Sequence, residues 1–116
     1  PMRASLVVLI TALTATVLTA SGCGDDLGEC PADSAARQAQ GLEVLQTKCM
    51  TCHSSQVSGS ARLGAPSDLN FDDPGTVQDN AGDMWSETDD GAMPPTGELS
   101  AEDKEALRVY LACTAQ

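Results

Sequence analysis

Cys49-Met50-Thr51-Cys52-His53 is the stretch on which the reading of this chain turns. The spacing Cys-x-x-Cys-His has a mechanical logic. Two intervening residues bring both sulfurs to one edge of a porphyrin, where each thiol adds to a vinyl group as a thioether. The adjacent imidazole then reaches the iron as its proximal ligand. The motif therefore predicts one haem c, covalently held by Cys49 and Cys52, with His53 on the metal. His53 is the only histidine in the chain, so two histidines on one iron, or a second site of this kind, are excluded. Two other chemistries use paired cysteines. A thioredoxin-like redox motif belongs with a strand–helix unit, and no strand-like alternation is visible. A zinc site needs a second close Cys/His pair, and none is present.

An electron carrier needs a soft or imidazole group at the sixth iron position, which here leaves a thioether. Of the four methionines, Met2 lies in the leader described below and Met50 lies inside the attachment turn. Met84 and Met93 remain. Met93 sits in Gly91-Ala92-Met93-Pro94-Pro95, where the prolines stiffen an extended backbone and present the side chain outside any helix. Met84 falls on the face of an expected helix, where methionine usually fills core. Met93 is the favoured ligand and Met84 the alternative.

The start of the chain reads as a leader. Arg3 is followed by an uncharged run from Ala4 to Ala20 and by small residues up to Cys23, the layout of an export signal over residues 1–22. The rival is an uncleaved anchor, for which a run rich in Thr and Ala is marginal. Ala20-Ser21-Gly22-Cys23 resembles a bacterial lipobox, although Ala20 stands where Leu is usual. Ordinary signal peptidase would cut at the same place. Cys23 is thus the candidate lipidation site, and the expected location is the periplasm, with membrane attachment through that lipid.

Residues 23–32 read as a polar tether and 33–116 as the domain. Residues 23–116 hold all 17 acidic residues and lack Arg3, so this part is more negative than the chain's −11. Phosphate binding needs a basic face, which argues against nucleic acid as a partner. Such acidity serves solubility first, and steering toward a basic patch on a redox partner second. Phe71, Trp85 and Tyr110 are the only aromatics. So short a domain with so few large side chains builds a thin core, and a haem would supply the missing apolar volume. Cys30 and Cys113 are left over, and export favours their pairing. If Cys23 carries no lipid, Cys23–Cys30 competes.

Three helices are expected. The first starts near Asp33 or Ser34, carries Ala35, Ala39, Leu42, Leu45 and Cys49 at helical spacing, and runs into the motif. The second runs over 74–85, with Asp73 as cap, Pro74 in its first turn, and Val77, Ala81, Met84 and Trp85 on one face. The third follows a capping-box-like Ser100-Ala101-Glu102-Asp103 and carries Leu107, Tyr110 and Leu111. Residues 54–70 and 86–99 read as loops.

With these features in place, residues 33–114 resemble the class I cytochrome c family, and closely its small single-domain exported bacterial members. Gly41 stands eight residues before Cys49, as in that family, although Leu45 replaces a frequent aromatic. Leu107, Tyr110 and Leu111 match the patch by which the last helix crosses the first. Gly64-Ala65-Pro66-Ser67-Asp68-Leu69 looks like a Gly-Pro-x-Leu element with one extra residue. The resemblance implies that the Pro66 carbonyl accepts the His53 Nδ1 hydrogen. It implies an all-α fold, three or more helices wrapped around one covalent haem with the terminal helices crossing. It also implies a monomeric electron carrier, not an enzyme, working between redox-partner proteins whose identity leaves no mark here. Two rivals are a five-coordinate haem protein binding a small gas or peroxide, and a haem-free lipoprotein held by disulfides.

Overall fold

A computed structural model describes residues 26–116 of the chain. The expected leader and the candidate lipidation residue Cys23 lie outside the described residues. Three α-helices and no strands occur among the described residues.

Helix α1 spans Ala35–Val44 and continues through a π-helical turn over Leu45–Cys49 into the motif. In that turn the Met50 N–H reaches back to the Leu45 carbonyl at 3.0 Å. Ser34 occupies the N-cap position, but its hydroxyl accepts from Gln38 Nε2 at 2.9 Å and makes no cap bond. The expected face holds at its C-terminal end, where Leu45 is buried and Leu42 and Cys49 pack against the core, but not at its start. Gly41, Val44 and Leu45 are buried, while Ala35 and Ala39 are exposed. The reason is where the neighbouring helix lands. Gly41 faces that helix, and a residue two positions away on a 3.6-residue turn points to the opposite side.

Helix α2 spans Pro74–Asp89, one turn longer than the sequence suggests. Asp73 caps it, its carboxylate accepting from the Gly75 and Thr76 N–H groups at 3.3 Å. Residues 86–89 contain no breaker, and buried Thr88 returns a hydrogen bond from its hydroxyl to the Met84 carbonyl at 2.7 Å. Chain reversal waits for Gly91 and the prolines. Helix α3 spans Ala101–Thr114, and the Ser100 hydroxyl accepts from the Asp103 N–H at 3.1 Å. Ala106, Leu107, Val109, Leu111 and Ala112 are its buried residues.

Helix α3 packs against both α1 and α2. The core they share is Val44, Leu45, Phe71, Val77, Ala81, Met84, Leu99, Leu107 and Leu111. At the α1–α3 contact the backbones nearly touch. A Cβ at Gly41 would lie 2.2 Å from the Ala106 carbonyl oxygen and 2.6 Å from Tyr110 Cβ. Only glycine permits this approach.

The described part of the polar tether lies against the domain. Leu27 packs on the core, and its carbonyl accepts from the Arg108 guanidinium. Cys30 and Cys113 are joined, with Sγ atoms 1.94 Å apart and Cα atoms 4.7 Å apart.

Two measurements check this architecture. Gly41→Ala must push α1 off a backbone carbonyl, which should cost about 3 kcal/mol, the upper end for overpacking. Thermal melts should show a midpoint lower by roughly 12 °C or more. The Cys30–Cys113 link closes a loop of 83 residues. Its removal in Cys30→Ser/Cys113→Ser should cost about 4 kcal/mol by denaturant titration.

Candidate functional site

The attachment motif is wound as a tight helical turn. The Cys49 carbonyl accepts from both the Cys52 N–H at 3.1 Å and the His53 N–H at 3.0 Å. This winding brings both cysteines and the imidazole to the lining of one cavity. The cavity has a volume of about 580 Å³, within the range of small-molecule and cofactor sites. Cys49, Cys52, His53, Met84 and Met93 all line it, beside apolar Leu69, Phe71 and Leu107. Cys49 and Cys52 are free thiols. Burial pushes the Cys49 thiol up to about 11, so it is protonated at neutral pH.

His53 is held from three sides. Its Nδ1 lies 3.1 Å from the Leu69 carbonyl oxygen, its ring stacks on Phe71 with centroids 4.5 Å apart, and its own carbonyl accepts from the Phe71 N–H at 2.8 Å. A carbonyl can only accept, so the proton sits on Nδ1 and the Nε2 lone pair is left for a metal. Burial, followed by the nearby Arg62 charge, lowers the His53 pKa against the opposing Leu69 bond. Both effects favour the neutral ring, the form whose lone pair can be given to a metal.

The acceptor for Nδ1 is a correction to the sequence reading, which gave that role to Pro66. The Pro66 carbonyl is engaged elsewhere, by an Arg62 Nη2 donor and by the Leu69 N–H at 3.2 Å. The turn closed by that second bond carries the chain past Pro66, and Leu69 is the residue whose carbonyl meets the ring.

Four residues hold His53 in ways the sequence does not announce: Arg62 and Asp72, which it leaves unremarked, and Leu69 and Phe71, which it offers without a role at the imidazole. The buried Arg62 side chain gathers the connecting loop, donating to the carbonyls of Ser54 at 2.8 Å, Val57 and Ala65 at 3.1 Å, and Leu69 at 3.2 Å, and to Pro66. It also donates to Asn70 Oδ1 at 3.0 Å. Asp72 accepts from the Ser55 N–H at 3.0 Å, the Ser55 hydroxyl and the Ser54 hydroxyl. Those bonds hold its carboxyl below the usual carboxylate range. One signal for Arg62 is present in the sequence: it is the only Lys or Arg between Lys48 and Lys104.

The two candidate sixth ligands differ in setting. Met84 is buried within the core cluster, whereas Met93 is 37% exposed at the cavity wall. The Met93 N–H donates to the Glu87 carbonyl at 2.9 Å, which ties its loop to the end of α2.

The residues present fit a haem. Two thiols and an imidazole face a cavity that a core short of aromatics leaves open, and the walls are largely apolar. No helix among the described residues is long and apolar enough to cross a membrane. No curated protein and no solved structure matches the chain. A family does match: cytochrome c oxidase, cbb3-type, subunit III, over residues 36–111. That match runs from the first turn of α1 to Leu111 in α3 and takes in the whole cavity wall, so the chain belongs to this family of class I-like monohaem cytochrome c domains.

Proposed function

We propose that the protein is an exported one-electron carrier in which a single haem, held by Cys49 and Cys52, is ligated by His53 and Met93. The observation that carries this reading is that these four side chains line one cavity. When bound, the haem supplies reversible ferric/ferrous exchange. The chain's own residues supply the rest. The Leu69 carbonyl fixes the His53 tautomer and strengthens its donation to the metal. The Phe71 ring sets the imidazole plane. Met93 lines the cavity from a loop whose backbone is anchored to α2 and takes no part in the core cluster, while Met84 already serves the core. Thioether ligation favours the ferrous state. Keeping both ligands in both oxidation states means that no bond forms or breaks on electron transfer.

The family's description names an oxidase subunit, which supports a role in passing electrons toward a larger redox enzyme. The acidic surface supports docking against basic patches on donor and acceptor. The leader and Cys23 support export and lipid attachment at the periplasmic face.

Met93→Ala should abolish the Met–iron charge-transfer absorption of the ferric protein and lower its reduction potential. An unchanged spectrum would transfer the role to Met84. The reduced wild-type protein should show no spectral change on addition of carbon monoxide. Prompt binding would instead favour a five-coordinate, gas-binding haem.

A further inference from the structure

Arg62 is a buried cation whose partners are five backbone carbonyls and the neutral Asn70 side chain. Its side chain makes no ion pair with any carboxylate among the described residues. This is unusual in so acidic a chain, and a buried charge is ordinarily paired. The guanidinium also lines the cavity and shares an acceptor with His53: Arg62 Nη2 lies 3.2 Å, and His53 Nδ1 3.1 Å, from the same Leu69 oxygen.

We infer that Arg62 is a positioning residue that sets the reduction potential at His53, by placing a fixed positive charge, paired with no side-chain carboxylate among the described residues, on the carbonyl that orients the imidazole. The inference rests on His53 being the iron ligand. Two physical effects act in the same direction. One electron taken from a donor redox protein lowers the charge at the site by one unit, with no bond made and no proton moved at Arg62. A neighbouring positive charge stabilises that added electron, and partial burial limits screening. Arg62 also draws on the lone pairs of the Leu69 oxygen. The Nδ1–H···O bond weakens, the imidazole becomes a poorer donor, and the ferric state loses support. An arginine does this independently of pH, because its guanidinium keeps its charge.

The same contacts give Arg62 a structural role, so the test must separate charge from scaffolding. Asn70→Asp does so. It places a carboxylate where Asn70 Oδ1 already accepts from Arg62 at 3.0 Å, keeping the guanidinium and its hydrogen bonds while neutralising the charge. Arg62→Gln removes the charge outright. Haem content is measured first by pyridine haemochrome, so that failure of haem attachment in the wild type, which would defeat the underlying reading, is seen separately. Redox titration of the loaded proteins should show the ferrous-to-ferric ratio at fixed poise falling about tenfold in Asn70→Asp, a shift of about 59 mV for one electron. Arg62→Gln should shift in the same sense wherever it loads haem. The His53 Nδ1–H proton resonance of the ferrous protein should move downfield in Arg62→Gln as that hydrogen bond strengthens. A potential unchanged in Asn70→Asp overturns the proposal, even if Arg62→Gln fails to fold.

Discussion

The contact between Gly41 and the Ala106 carbonyl governs how the terminal helices meet. With the two backbones this close, α1 and α3 lock at one crossing point, and the chain leaving α1 through the π-helical turn has a fixed direction. Cys49, Cys52 and His53 inherit their placement from it. The same crossing buries Leu107 and Leu111, which then offer α2 a surface for Val77, Ala81 and Met84. What the three helices do not fill is the space beside His53. A chain with one Phe, one Trp and one Tyr cannot fill it, and the cavity is the outcome.

Around that cavity the fold uses the loop after His53 as a harness. Arg62 gathers five carbonyls from inside, and Asp72 holds Ser54 and Ser55 from outside. Between them they present the Leu69 oxygen and the Phe71 ring to the imidazole. A loop rich in Ser and Gly has few contacts of its own to hold it, and these bonds supply them. On the proposed reading, a firmly held imidazole keeps small the reorganisation that accompanies electron transfer.

The parts visible in the sequence are those with local or periodic causes. The attachment turn is visible because its chemistry demands a fixed spacing. The Asp73 and Ser100 caps, and the Leu107, Tyr110 and Leu111 stripe with Gly41 opposite, follow from helix geometry. The parts that were not visible depend on where distant segments land. Ala35 and Ala39 share a helical spacing, yet α3 falls on the Gly41 side instead. Pro66 was assigned the carbonyl that orients His53, but carbonyls are chemically alike, and only the loop's path selects Leu69. Arg62 draws no reading from the sequence, since burial of a cation in a ring of carbonyls leaves no pattern of residue types.

The central claim is that this cavity holds one haem through two thioethers. The most direct measurement is a pyridine haemochrome assay, before and after acidified organic extraction, on protein produced together with a haem-attachment system. The account predicts one haem per chain, resistant to extraction, and loss of that resistance when Cys49 and Cys52 are both replaced by Ser. A colourless product, or haem that leaves with the solvent in the unaltered protein, would contradict it.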